Sequence, residues 1–424
     1  MSVPLRSYAD FSASIHARVA GERVPVNVTV ELTRRCPLAC AHCYNNLPMA
    51  DPEARRTELT LAEHVRLLDE LAAAGCLWLC YTGGEILARP DFLEIYRAAK
   101  ERGFVVTLFT NATLVTERVA DALAESPPFS IEVTIYGATR GTYEALTGVP
   151  GSYDRCLRGI ALLKERGLPV SLKTVAVTVN RHEVDAMRRL AEEELGLPFK
   201  FDALMSPRID CSRSPLEVRL TPAEVVALDV ADAGRMAEWE RFRASCSVGV
   251  PVEASRGEDL YQCGGGVSSF AVDPAGRMSI CVLTHEETFD LRAGTLEEGW
   301  GTFLRAVRAR KRTRPSRCVR CGLVNLCGMC PANGHLENGD AEEPVEFLCE
   351  TAHLRAAAFD WPVPEHGPCA YCNGGSEEER VRAAGAAIRE GRGRPAPARG
   401  ILLPALPARP AGARNGEGLP GETT

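Results

Sequence analysis

From about Pro25 to about Leu204 the chain alternates uninterrupted apolar runs, rich in Val and Ile, with amphipathic runs of helical period. The apolar runs predict strands at Val26–Leu32, Leu77–Thr82, Phe104–Phe109, Ser130–Ile135, Val170–Val175 and Phe199–Ala203. The runs between them predict helices at Leu61–Ala74, Asp91–Glu101, Glu117–Ala124, Tyr153–Arg166 and Glu183–Leu195. Strands without polar alternation are expected to be buried on both faces, as in a parallel sheet covered by helices. Repeated βα units build either a doubly wound sheet or a barrel, and the pattern alone does not choose.

Beyond this region the texture changes. A loop, SPRIDCSRSP, leads to a helical stretch at Pro222–Ala244, and from Cys263 to Cys349 the chain is short-stranded, turn-rich and dense in cysteine. The DPAGR at Asp273–Arg277 marks a tight turn there. After Trp361 come one plausible helix, Glu377–Arg389, and a Gly/Pro/Ala/Arg tail expected to be disordered. The organisation read from this is an N-terminal segment 1–25, an α/β unit with its following helix 26–245, a cysteine-rich domain 246–362 and a C-terminal extension 363–424.

A formal net charge of −7 argues against nucleic-acid binding. The basic run Arg305–Arg317 is the local exception, read as a solvated helix end. No apolar stretch is long enough to span a bilayer and no signal peptide is evident, so a cytoplasmic protein is expected. Seventeen cysteines in such a chain point to metal in preference to disulfides.

Directly after the first predicted strand stands RRCPLACAHCY, with Cys36, Cys40 and Cys43 spaced C-x3-C-x2-C. Three thiolates on one short loop can hold three corners of a [4Fe-4S] cluster and leave the fourth iron open. A zinc site or three unrelated thiols fit the spacing too. The surrounding motifs resemble those of the radical S-adenosylmethionine (SAM) superfamily: a ring residue, His42, before the third cysteine, then YTGGEIL after strand two, FTNAT after strand three, and IEVTIYG at strand four. All lie at C-terminal strand ends, where barrel active sites form.

The resemblance implies a partial (β/α)6 TIM-like barrel. It also implies a [4Fe-4S] cluster whose open iron chelates SAM, and one-electron cleavage of SAM to a 5′-deoxyadenosyl radical that abstracts hydrogen from substrate. It assigns His42, Gly83, Gly84, Glu85, Thr110, Asn111, Glu132 and Thr134 to the cofactor, with Glu85 and the glycine backbone meeting the methionine amine and strand four meeting the ribose. The chain departs from the family at Ile86, where relatives often have Pro.

The second array runs C-x12-G-x4-C (Cys263, Gly276, Cys281), C-x2-C-x5-C-x2-C (Cys318, Cys321, Cys327, Cys330), then Cys349. Seven cysteines exceed what one four-coordinate ion takes, so at least two sites are implied. The array resembles the SPASM domain, with its last pair contracted from C-x3-C to C-x2-C. The family's crossed pattern would give Cys263, Cys281 and Cys330 to one auxiliary iron-sulfur cluster and Cys318, Cys321, Cys327 and Cys349 to another, both expected as [4Fe-4S]. The first would have an open iron or a further ligand, for which Cys246 is the nearest upstream cysteine. Cys369 and Cys372 have metal-like spacing, yet two ligands close no site, and the pair reads as incidental ahead of a redox pair or a zinc site completed from elsewhere.

SPASM enzymes commonly crosslink ribosomally made peptides, so a peptide or small-protein substrate is expected. An external electron donor such as flavodoxin or ferredoxin is expected with it. Only about 25 residues precede strand one, too few for an independent fold, so a separate peptide-recognition protein or the barrel mouth would capture the substrate. Arg208, Asp210 and Arg213 in the SPRIDCSRSP loop are the substrate-side candidates. Maturation of a small-molecule cofactor or of a sulfatase-type protein is the alternative within the enzyme class. A non-catalytic iron-sulfur or zinc scaffold is the alternative outside it, and it would leave GGE, TN and the ribose strand without purpose.

Overall fold

The computed structural model describes residues 7–19, 21–245, 258–363 and 368–391. The expectations for Cys246 as a ligand and for a disordered tail fall outside these residues. Six strands, β1 (Asn27–Thr33), β2 (Trp78–Gly83), β3 (Val105–Thr110), β4 (Ser130–Thr134), β5 (Val170–Val175) and β6 (Phe199–Asp202), pair in parallel in sequence order. Each lies within a residue of its predicted bounds, and helices connect them on the outside. The result is a partial (β/α)6 barrel.

The expectation of strands buried on both faces is corrected here. In β3, β4 and β5 buried and half-buried positions alternate strictly. The buried set (Val106, Leu108, Ile131, Val133, Leu172) forms part of the hydrophobic core. The other set includes Phe109, Thr134, Lys173 and Val175, which line a cavity instead of filling it. An open barrel interior half-exposes its inward residues, so the strands have two faces of different character.

Several of the α-helices begin at a side-chain cap. Thr60 and Glu63 close a capping box on α1 (Leu61–Ala73), and Thr221 with Glu224 does the same on α2 (Pro222–Ala231). The predicted Pro222–Ala244 helix is broken at Asp232, whose carboxylate takes the Arg235 backbone N–H at 3.0 Å as α3 (Ala233–Ser245) begins. An unforeseen helix, Arg140–Thr147, is capped by Thr139 and stopped by Gly148 in the left-handed region at φ 68°.

The cysteine-rich region is continuous with the barrel sheet. β7 (Ser269–Val272) pairs in parallel with the free edge of β1, and β8 (Arg277–Ser279) and β9 (Phe289–Asp290) extend it antiparallel. The basic run lies, as expected, at a solvated helix end, after Leu304–Arg308, and its exposed cations pair with acids: Arg310 with Glu287 at 2.7 Å, Lys311 with Asp259 at 2.6 Å and Arg314 with Asp340 at 2.7 Å. Such surface pairs contribute about 0–1 kcal/mol each. No helix among the described residues is long and apolar enough to cross a membrane.

A buried ion pair joins the two halves. Arg355, on the helix Glu346–Phe359, donates to Asp229 of α2 at 2.9 Å and to the Leu326 carbonyl at 2.9 Å, with both charged side chains almost wholly buried. Replacement by Leu removes both bonds, although Asp229 keeps Arg235 at 2.8 Å. Arg355→Leu is therefore expected to cost about 1.5–3 kcal/mol, read as a lower denaturation midpoint of the anaerobically purified protein. An unchanged midpoint would remove the pair as a joint between the halves.

Candidate active site

At the C-terminal ends of β1–β6 a cavity of about 320 Å³ is lined by Cys36, Cys40, His42, Cys43, Gly83, Gly84, Thr110, Asn111 and Thr134, together with Tyr136, Lys173, Met205 and Leu283 among others. Its volume lies at the small end of the usual ligand-site range of about 300–1,000 Å³. Most of the expected cofactor residues thus meet in one place; Glu85 and Glu132 do not line it.

The loop carrying the three thiols is fixed from three directions. A bulge near the end of β1, between Glu31 and Thr33, breaks the register with β2 just before the loop. Buried Glu31 accepts from Tyr44 Oη at 2.8 Å and from Asn45 Nδ2 at 2.6 Å. The Ala39 and Ala41 amides donate to the Thr147 and Leu146 carbonyls, at 2.8 and 3.1 Å, on the last turn of the Arg140–Thr147 helix. Arg208 closes the third side, donating to Cys43 O at 3.1 Å, Asn46 Oδ1 at 2.9 Å and Asn46 O at 2.9 Å.

Burial pushes all three thiols up, and the charges of the others add to this for Cys36 and Cys40. Three thiols so placed ionise together only when a cation group replaces their protons. His42, half-buried on the cavity wall, is driven down to about 4 by desolvation and stays neutral at neutral pH. Its Nδ1 is buried without a hydrogen-bond partner.

Gly83 and Gly84 were read as making room for ligand. The structure shows what they approach: a Cβ at Gly83, where φ is 128°, would lie 2.1 Å from Thr33 O, and one at Gly84 would lie 2.5 Å from Arg34 O and Arg35 O. The Gly84 and Glu85 amides donate to Thr33 O at 2.7 Å and Arg35 O at 2.9 Å. The glycines thus clamp β2 to the segment that enters the cysteine loop. Glu85 differs from its expected contact with the methionine amine. Its fully buried carboxylate accepts from Thr110 Oγ1 at 2.7 Å, the Asn111 amide at 2.8 Å and the Leu87 amide at 3.1 Å, binding the two motif turns together.

Asn111 Oδ1 is taken by Thr113 Oγ1 at 2.6 Å, which turns its Nδ2 to Cys36 Sγ at 3.5 Å. Thr134 lines the cavity, whereas Glu132 pairs with Lys173 at 2.9 Å and Lys200 at 2.8 Å. Lys173, absent from the sequence reading, stands 2.9 Å over the Phe109 ring on the cavity wall. Its signal was a lone Lys in an apolar strand, SLKTV.

The substrate-side candidates are also relocated. Arg208 is a buried clamp on the cysteine loop, Asp210 caps the Ser212 amide at 2.9 Å on the surface, and Arg213 donates to Glu337 O at 2.6 Å in the cysteine-rich region. None of the three lines the cavity. Leu204, Met205 and Ser206, just upstream in the same loop, do.

The seven cysteines of the second array separate as their mutual charges show. Burial raises Cys330, and Cys281 and Cys263 add to it. Cys327 is raised first by its hydrogen bond to Cys349 and then by burial, with Cys318 adding; Cys318 in turn feels Cys349 and Cys321. Cys318, Cys321, Cys327 and Cys349 share a second, smaller cavity. Cys330 therefore sits with the distant pair and not with its sequence neighbour Cys327.

A partial barrel with a pinned three-thiol loop at its mouth defines a cofactor-dependent α/β class. Residues 30–191 match the model of the Radical SAM superfamily, a family that takes a [4Fe-4S] cluster and SAM. Among curated proteins, an AdoMet-dependent heme synthase from Methanosarcina barkeri is 26% identical over 77% of this chain and 97% of its own length. A PqqA peptide cyclase from Ruegeria pomeroyi is 35% identical over 40% of this chain and 43% of its own. In fold, the chain is similar to Streptococcus suis SuiB bound to precursor peptide SuiA, at TM-score 0.61 and 16% identity over 82% of each chain.

Two substitutions test the geometry. Gly84→Val should drive Cβ into the Arg34 and Arg35 carbonyls and lower both SAM affinity and barrel iron. Unaltered values would free Gly84 of this role. Arg208→Ala should lower the iron held at the barrel in reconstituted protein, whereas a raised substrate KM with full iron would mark it as a substrate contact.

Proposed function

We propose that the chain modifies a ribosomally made peptide by radical SAM chemistry, with Cys36, Cys40 and Cys43 holding the SAM-binding cluster. The single cavity carries this reading. It joins the three thiols and the two motif turns to Leu204, Met205 and Ser206 after β6 and to Leu283 of the cysteine-rich region, so cofactor and substrate sides share one space. The thiol set, the orphaned His42 Nδ1 and the cavity volume fit the cluster and SAM together. When bound and reduced by one electron, that pair supplies a 5′-deoxyadenosyl radical able to take hydrogen from an unactivated C–H bond.

The chain's own work is placement. Thr110 and Glu85 hold the Asn111 turn against Cys36, Thr134 offers a hydroxyl on the cavity wall, and Lys173 offers a cation beside Phe109. The apolar residues Leu204, Met205, Val175 and Leu283 on the walls keep water away from a reacting carbon. In this reading Cys263, Cys281 and Cys330 hold one auxiliary cluster and Cys318, Cys321, Cys327 and Cys349 another, passing on the electron that substrate loses. A flavodoxin or ferredoxin delivers the first electron in the reducing cytoplasm, and a separate recognition protein presents the peptide.

The peptide reading draws support from the relatives named as peptide cyclases. A relative matched along nearly its whole length is named a heme synthase, which favours a second reading, a heme-type macrocycle as substrate. Anaerobic wild type should contain about twelve irons and release 5′-deoxyadenosine from SAM and reductant. A Cys36→Ala, Cys40→Ala, Cys43→Ala triple variant should keep about eight irons and release none. Iron near four in well-reconstituted wild type, or deoxyadenosine from the triple variant, would overturn the assignment. A mass change on a co-expressed peptide, absent with the triple variant, supports the peptide reading; turnover of a heme precursor alone supports the second.

A further inference from the structure

Cys369 and Cys372 lie outside both groups of auxiliary cysteines, and the sequence showed only two ligands. The structure supplies a third from a helix upstream. The donor atoms of His353, Cys369 and Cys372 all lie within 4.8 Å of one another, and Cys369 Sγ stands 3.5 Å from His353 Nε2. Around one tetrahedral ion with metal–sulfur bonds of about 2.3 Å and metal–nitrogen bonds of about 2.0–2.1 Å, sulfur and nitrogen stand about 3.5 Å apart. Cluster thiolates each take a different iron and are spread more widely.

The donors are also oriented. His353 Nδ1 lies 2.7 Å from the Cys349 carbonyl, which only accepts, so Nδ1 carries the hydrogen and Nε2 is the nitrogen turned toward Cys369 Sγ. The Tyr371 amide donates to Cys369 Sγ at 3.5 Å. Immediately after Cys372 the chain turns through Asn373 and Gly374 at φ 52° and 83°, and a Cβ at Gly375 would lie 2.1 Å from Cys369 O.

We propose that Cys369, Cys372 and His353 hold a single zinc ion, separate from the iron-sulfur clusters, that staples the C-terminal segment beside the second auxiliary cysteine group. Two thiolates and one imidazole are the donor set that zinc takes, with one position left for water or a neighbouring thiolate. His353 and Cys369 line the same cavity as Cys318, Cys321, Cys327 and Cys349. The helix Glu378–Arg389, which follows the cysteine pair, packs on Glu346–Phe359 so closely that a Cβ at Gly385 would lie 2.4 Å from Ala357 Cβ. One ion would fix that helix and the helix bearing His353 to each other.

The test uses full-length protein purified anaerobically and dialysed against a weak chelator, with iron and zinc counted per chain. Wild type should retain about one zinc beside its iron, and Cys369→Ser/Cys372→Ser should fall to background zinc with iron unchanged. X-ray absorption at the zinc edge of wild type should show two sulfurs at about 2.3 Å and an imidazole nitrogen at about 2.0–2.1 Å, a readout that stands should the variant fail to fold. Absence of zinc from wild type supplied with it, a zinc shell of oxygen and nitrogen alone, or a double variant that loses iron in place of zinc would each overturn the proposal. Because zinc is read independently of deoxyadenosine release, its failure leaves the radical SAM reading untouched.

Discussion

Three thiols on one loop, Cys36 buried and Cys40 and Cys43 half-buried, constrain the rest of the barrel mouth. Burial and like charge both oppose their ionisation, so the loop has no reason of its own to keep them convergent. The fold imposes that convergence. Glu31 from β1 holds Tyr44 and Asn45, the Arg140–Thr147 helix lends its terminal carbonyls to Ala39 and Ala41, and Arg208 ties Cys43 and Asn46 from the far side of the sheet. These are hydrogen bonds to buried or charged groups, whose loss leaves partners unsatisfied and therefore costs more than their formation gains.

The same logic explains the motif glycines and Glu85. Room at Gly83 and Gly84 is used by the backbone that leads into Cys36, and the Glu85 carboxylate spends its bonds on Thr110, Asn111 and Leu87. Two strand ends and one loop are thereby locked into a unit, and the residues that face the cavity inherit their positions from it. Preorganisation of this kind is what lets a site place a reactive carbon against one C–H bond among many.

The sequence made local structure and the thiol loop legible, because both are written in short-range signals: apolar runs for the strands, amphipathic period for the helices, and cysteine spacing for the loop. It was less informative wherever a residue's role depends on a partner far along the chain. Arg208 read as a substrate contact because nothing near it in sequence shows Cys43 and Asn46 lying 162 to 165 residues away beside its guanidinium. Glu132 read as a ribose contact because Lys173 and Lys200, its ion-pair partners, come from the next two strands. His353 was invisible for the same reason, sitting sixteen residues before Cys369 on a helix that buries nearly every side chain.

The joining of β7 to β1 ties the two cysteine-bearing regions into one frame. β1 delivers the barrel thiols from its C-terminal end and offers its free edge to β7, so both regions hang from the same strand through parallel backbone hydrogen bonds. The chain then runs through β8 to Cys281, whose sulfur takes the Leu283 amide at 3.3 Å, and Leu283 lines the barrel cavity. The thiol group of Cys263, Cys281 and Cys330 is thus anchored two residues from the cavity wall, while the other group lies against the helix Glu346–Phe359. The spacing between cavity and thiols is thus set by a strand pairing and a short loop, the kind of rigid support that holds two sites at a defined distance.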